Sequence, residues 1–224
     1  MMRNGVEDDL KENLTRGAIV VVIDDDASCR AVLRELFESV GLKVKLYTSG
    51  ISFLEDGIPD VTSCLVVDVR LPAKSGLKVQ EELSKANMHV PIVFITGHAE
   101  VPMVVSAMKA GAVDFLTKPF RSQDLLDAVF TALERDSARR KMQQWQSILR
   151  EYYESLSARE RQVITMVAAG KLNKQIAADL RLSEVTVKLH RARGMRKMRA
   201  TSLAQLVKML EDFDHAVAPG PKTH

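Results

Sequence analysis

Two short stretches, VVVIDDDASCR (Val20–Arg30) and CLVVDVRLP (Cys64–Pro72), run through β-branched and aliphatic residues and stop abruptly at carboxylates. Asp24, Asp25, Asp26 and Asp68 crowded at such ends would repel one another unless a cation held them. Oxygen donors at a solvent-facing edge favour a hard divalent ion, Mg2+ or Mn2+. A carboxylate beside such an ion is suited to attack phosphorus, with an aspartyl phosphate as product. That chemistry also wants a cation for the acyl phosphate and a hydroxyl to sense it. Lys118 and Thr96, each closing an apolar run of its own, fit those roles. Asp26 reads instead as the N-cap of the helix that follows.

These residues need elements that bring them together. Aliphatic runs predict strands at Ala18–Ile23, Lys43–Tyr47, Leu65–Asp68, Pro91–Thr96 and Val113–Leu116. Amphipathic spacing predicts helices at Ala27–Val40, Ile51–Glu55, Leu77–Lys85, Val101–Ala110 and Gln123–Leu133, the first burying Val32, Leu33, Leu36, Phe37 and Val40. Alternating strands and helices imply a parallel sheet covered on both faces. Right-handed crossovers leave few arrangements, among them the flavodoxin-like order 2-1-3-4-5, whose functional crevice lies beyond the carboxyl ends of the strands. There Asp24, Asp68, Thr96 and Lys118 would meet. His89 and His98 read as surface loop residues.

From about Leu156 the pattern is helical throughout. LSARERQVITMVAAG offers Ser157 and Glu160 as a capping box and Gly170 as a stop. A short helix, NKQIAADL, follows, with Ile176 and Leu180 on one face. Ser183 then caps a third helix, and Leu203–Leu210 forms a fourth. Two short helices joined by a tight turn make a helix-turn-helix. Between Arg181 and Arg199 stand seven basic residues and one acid, Glu184. With Val187, Ala192, Met195 and Met198 turned inward, Lys188, Arg191 and the later arginines face out. Such a face neutralises DNA phosphates, and its first turns reach base edges in the major groove. Gly194 costs this helix about 1 kcal/mol relative to alanine, which only close packing explains.

The charge distribution agrees with two parts that have different partners. Gly17–Leu133 carries 15 acidic and 11 basic residues, whereas Glu151–Phe213 carries 7 acidic and 12 basic. The expected organisation is a disordered start (1–16), a phosphoacceptor domain (17–133), a polar helical linker anchored by Trp145 (134–154), a DNA-binding domain (155–213) and a disordered tail (214–224). The opening residues hold no apolar core of the kind a secretory signal needs, and no run approaches the roughly 20 apolar residues of a membrane span. A cytoplasmic protein with no membrane partner is expected, its two cysteines, Cys29 and Cys64, buried as thiols.

Taken in order, these residues resemble the receiver domain of a two-component response regulator. The resemblance makes Asp24 and Asp25 the acidic pair, Asp68 the phosphoacceptor, and the Arg70 backbone carbonyl a further metal ligand. It makes Thr96 the switch hydroxyl, Phe115 the switch aromatic and Lys118 the invariant lysine, with a cis Lys118–Pro119 bond. Residues 156–212, with Asn173, Lys174, Ile176, Ala177, Leu180, Ser183, Thr186, Val187 and His190 in the pattern NKxIAxxLxxSxxTVxxH, resemble the LuxR-type helix-turn-helix of the NarL/FixJ group, nearest its FixJ-like branch. That likeness assigns DNA contact to Asn173, Lys174, Thr186, Lys188, Leu189, His190, Arg191, Ala192 and Arg193.

Leu189 and Ala192 cannot donate hydrogen bonds, so base discrimination falls to thymine methyl contact or to Arg191 and Arg193. The resemblance further implies a sensor histidine kinase, double-stranded promoter DNA and RNA polymerase as partners, and a homodimer on phosphorylation. The face built from Val101–Ala110 and Val113–Leu116 and the apolar face of the last helix would serve pairing. A phosphatase of the haloacid-dehalogenase type would need a second acid two residues after Asp68. Arg70 stands there, so turnover is not expected. A flavin-binding flavodoxin would need a Ser/Thr-rich loop after the first strand, which is absent. Two rivals are a DNA binder indifferent to phosphorylation and a protein-interaction output.

Overall fold

The computed structural model describes residues 17–217 and divides the chain into two compact units, with the boundary along the sequence between Arg140 and Lys141. The expected disordered start, 1–16, and the tail beyond Val217 lie outside the described residues. Among the described residues no helix is long and apolar enough to cross a membrane.

In the first unit five parallel strands lie in the order β2-β1-β3-β4-β5: β1 Ile19–Ile23, β2 Lys43–Tyr47, β3 Ser63–Asp68, β4 Ile92–Thr96 and β5 Asp114–Thr117. The helices between them are α1 Ala27–Ser39, α2 Gly50–Asp56, α3 Gly76–Lys85 and α4 Val101–Lys109, followed by α5 Ser122–Glu154. β3 is buried along its whole length, as a central strand with both faces covered must be. One apolar layer joins Val20, Val22, Leu33, Phe37, Val66, Val93 and Val129, and the other joins Val21, Ile23, Phe53, Leu65, Val67, Phe94 and Val79. The Ser28 and Cys29 N–H groups donate to Asp26, the N-cap expected from the sequence, and Ser49 and Ser75 cap α2 and α3. Val32 corrects the expected face of α1. It is 64% exposed, while Leu33 and Phe37 are buried.

α5 does not stop at Leu133. With neither glycine nor proline between Ser122 and Glu154, nothing interrupts its hydrogen bonding, and it runs for 33 residues. Leu125, Val129 and Leu133 pack in the first unit; Leu149, with Trp145, Tyr152 and Tyr153, packs in the second. Trp145 is therefore one of several anchors, its Nε1 donating to Asp212 at 3.1 Å.

The second unit adds α6 Ala158–Ala168, α7 Asn173–Leu180, α8 Glu184–Lys197 and α9 Leu203–Val217. Ser157 and Glu160 form the expected capping box, and Ser183 caps α8. The turn from α7 to α8 passes through Arg181 at φ 54°, which lets the Leu182 N–H reach back to the Ala177 carbonyl. α9 continues past Leu210 and through the first four residues of the expected tail.

Candidate functional site

The parallel register aligns the strand ends. Ile23 lies beside Val67, Asp68 beside Ile95, and Thr96 beside Thr117, so the residues that follow share one edge of the sheet. Lys118 reaches across that edge. Its Nζ donates to Asp24 Oδ2 at 2.8 Å and to Asp68 Oδ2 at 2.7 Å, while its backbone N–H is fixed to the Thr96 carbonyl at 2.7 Å. The other carboxylate oxygens are held from their own loops: Asp24 Oδ1 accepts from the Asp26 N–H, and Asp68 Oδ1 accepts from the Arg70 N–H, both at 2.8 Å. The Lys118–Pro119 bond is cis.

Asp24, Asp68 and Thr96 are buried, and Asp25 faces solvent. Partial burial alone would lower the Lys118 pKa, but hydrogen bonds and charge from Asp24 and Asp68 outweigh it and push the pKa up. Beside them the Cys29 thiol is pushed up to about 11 by partial burial and by Asp24, which keeps it protonated. Thr96 Oγ1 donates to the His98 carbonyl at 3.1 Å and accepts from its N–H at 3.3 Å. Phe115 is half-buried against the core with its ring 6.1 Å from that of Phe94.

Among the described residues no three acid, histidine or cysteine side chains are already gathered about one point as a metal set. Lys118 instead draws Asp24 and Asp68 together. The donors present are nonetheless all hard oxygens with Asp25 open to water, a chemistry that fits a divalent cation of the Mg2+ kind. Gly76 shapes the floor. A Cβ there would lie 2.5 Å from the Asp68 carbonyl oxygen and 2.9 Å from Val67 Cγ1, so only glycine lets α3 start directly under the carboxylate.

In the second unit Val187, Gly194 and Met198 of α8 are buried, while Lys188, Leu189, Ala192 and Arg193 are exposed. Ala192 thus corrects the expected inward set. Arg191 corrects the outward one: it is half-buried and donates from Nη1 to Asn173 Oδ1 at 3.2 Å, tying the start of α7 to α8. Thr186 is half-buried with its hydroxyl 2.8 Å from that of Ser183, and its N–H donates to the same hydroxyl. His190 is half-buried, its Nδ1 buried without a hydrogen-bond partner. Lys174 is exposed at the head of α7.

Close packing does account for Gly194, where a Cβ would lie 2.4 Å from Ile164 Cγ1. At the far end of α8 Lys197 Nζ donates to the buried Glu160 carboxylate at 2.7 Å and to the Ser155 carbonyl at 2.9 Å. Sequence reasoning missed that brace, and it missed Val185, 76% exposed in the first turn of α8. The exposed face of α8 therefore combines lysine and arginine with apolar side chains, a surface suited to phosphates at its edges and base edges at its centre.

Residues 20–130 match the response regulator receiver domain family, and residues 154–210 match the bacterial regulatory proteins of the luxR family. Nodulation protein W of Bradyrhizobium diazoefficiens is 56% identical over 194 residues, which cover 87% of this chain and 86% of that protein. The transcriptional regulatory protein FixJ of Azorhizobium caulinodans is 43% identical over 190 residues, covering 85% of this chain and 90% of its own length. Among solved structures, the low-resolution structure of the response regulator StyR aligns with a TM-score of 0.81 at 45% identity, covering 87% of this chain and 98% of that one.

Proposed function

Because this chain belongs to the response regulators that join a receiver domain to a LuxR-type DNA-binding domain, and so is a transcriptional regulator, we propose that Asp68 is its phosphoacceptor. The carboxylate of Asp68 attacks the phosphorus of a phosphohistidine on a partner sensor kinase. The P–N bond breaks, the imidazole leaves, and an acyl phosphate remains. The observation that carries this proposal is Lys118 Nζ standing between Asp24 and Asp68, three strand ends meeting on one cation. Lys118 then pairs with the new phosphoryl oxygens.

Asp24, Asp25, Asp68 and the Arg70 carbonyl would hold Mg2+ or Mn2+, which supplies neutralisation of phosphate oxygens when bound. Thr96 leaves the His98 carbonyl to bond the phosphoryl group, and Phe115 follows the space it vacates. No acid stands two residues after Asp68 to activate water, so the group is held and lost slowly. Val101, 77% exposed, with Val105 and Met108 also exposed, favours pairing of two copies through the face of α4. The dimer then presents two copies of α8, with Lys174, Lys188 and Arg193 outward, to a two-fold promoter site, where RNA polymerase is a further partner.

Incubation with acetyl phosphate and Mg2+, read on phosphate-affinity gels and by size-exclusion chromatography, tests the proposal. Wild type gains the phosphoryl group and dimerises, and Asp68→Ala does neither. Equal behaviour of the two proteins would end it.

A further inference from the structure

We propose that Asp136 is a positioning residue that seats α5 on the phosphoacceptor strand, so that a change at Asp68 reaches the output helices through β3. The inference rests on the phosphorylation of Asp68 put forward above. Asp136 is fully buried although it lies in a stretch that reads as a polar linker. Its Oδ2 accepts the backbone N–H of Ser63, the first residue of β3, at 3.0 Å and Arg140 Nε at 2.8 Å. Its Oδ1 accepts from Arg139 Nε at 3.1 Å and Nη2 at 2.6 Å. Arg140 extends the network to the Pro59 carbonyl at 2.8 Å and to Asp60 Oδ1 at 3.1 Å. One carboxylate thus binds the loop before β3, the start of β3 and α5 into a single polar knot.

β3 carries Ser63 at one end and Asp68 at the other, with six buried residues between and including them. Apolar packing alone is non-directional and tolerates small shifts of a helix over a sheet. A buried carboxylate that accepts a strand N–H does not, because leaving that position strands both a charge and a donor. Arg140, the last residue of the first unit, belongs to this knot, and the residues beyond it belong to the second. The knot therefore grips the helix at the end of the first unit, just before it continues into the output unit. Displacement of β3 on modification at Asp68 is passed to the helix only while Asp136 holds.

The test uses the full chain and compares wild type with Asp136→Asn and Arg140→Ala. Asp136→Asn keeps an acceptor for Ser63 but removes the charge between the two guanidinium groups. Arg140→Ala leaves the bonds to Ser63 and Arg139 in place, and it serves where circular dichroism shows that Asp136→Asn fails to fold. Phosphoryl uptake from acetyl phosphate and affinity for a DNA fragment selected with phosphorylated wild type are both measured. Couplings between sites ordinarily amount to roughly 5- to 150-fold in affinity. Wild type is expected to gain affinity in that range. The variants should take up phosphoryl at the wild-type rate and still pair, yet gain clearly less affinity than wild type, whereas mere damage to the receiver would lower uptake as well. Folded, phosphorylated variants that gain as much affinity as wild type would overturn the role of Asp136 and leave the phosphoacceptor standing. A wild-type protein that takes up no phosphoryl would overturn both, and one that takes it up without any change in affinity would overturn the coupling through Asp136 alone.

Discussion

Replacing Gly194 with alanine sets two known effects against each other. In an open helix the change stabilises by about 1 kcal/mol. Here the new Cβ would lie 2.4 Å from Ile164 Cγ1 and 2.7 Å from Cδ1, and Ile164 is fully buried. Forcing an extra methyl into a filled core costs about 1–3 kcal/mol, and a contact this short belongs at the upper end. The net expectation is a loss of about 1–2 kcal/mol, which lowers the melting point of a domain this size by roughly 5–15 °C. The sequence holds one tryptophan, Trp145, whose indole bonds Asp212, so its fluorescence follows unfolding of the DNA-binding unit alone. Ile164→Ala, which removes both offending carbons, supplies the control. It costs about 2–5 kcal/mol by itself, and on that background Gly194→Ala becomes stabilising. A Gly194→Ala protein that melts at or above wild type, or effects that simply add, would refute close packing as the reason for glycine.

Gly76→Ala pushes a Cβ against the Asp68 carbonyl oxygen, which as backbone cannot turn aside. Phosphoryl uptake from acetyl phosphate should slow on the order of 100-fold, as it does when a reacting group is misplaced by about 1 Å, and an unchanged rate on phosphate-affinity gels would contradict that geometry. The Glu160 carboxyl is drawn down to about 2, first by the Lys197 ammonium and then by the Ser157 N–H. Since its folded pKa lies below the ordinary value of 4.5, its contribution is whole above pH 4.5 and fades as pH falls from there towards 2. Trp145-detected melting points should fall less steeply across that window in Lys197→Met than in wild type. Lys188→Ala should lower the slope of log affinity against log salt by about 0.9 while weakening binding to all DNA sequences alike, measured by fluorescence anisotropy.

The strand ends were legible because chemistry and periodicity coincide there: an unbroken β-branched run needs burial, and a carboxylate at its end needs a partner. Lys118 on Asp24 and Asp68 follows from topology once the strand order is known. The width of a helix face was harder to read. Val32 lies about 140° from Phe37 around α1, and Ala192 about 140° from Val187 around α8, so each sits on a flank that apolar character alone does not assign. That the helix expected at Gln123–Leu133 and the helical linker expected at 134–154 form one continuous α5 was hard to read for a different reason. The shift to charged residues after Leu133 looks like a solvated linker, yet no helix breaker accompanies it. Asp136 was hidden by its company, since an acid between arginines reads as surface unless the distant strand that buries it is known.

The unbroken course of α5 bears on how such a gene can be recombined. A crossover at residue 155 would look clean in the sequence, because it falls just before the α6 capping box. It would leave Trp145, Leu149 and Tyr153 attached to the wrong domain, parting the first from Asp212 and the last from its stack on Phe213. An exchange that hands on both cores intact has to splice within a helix, between Arg140 and Trp145.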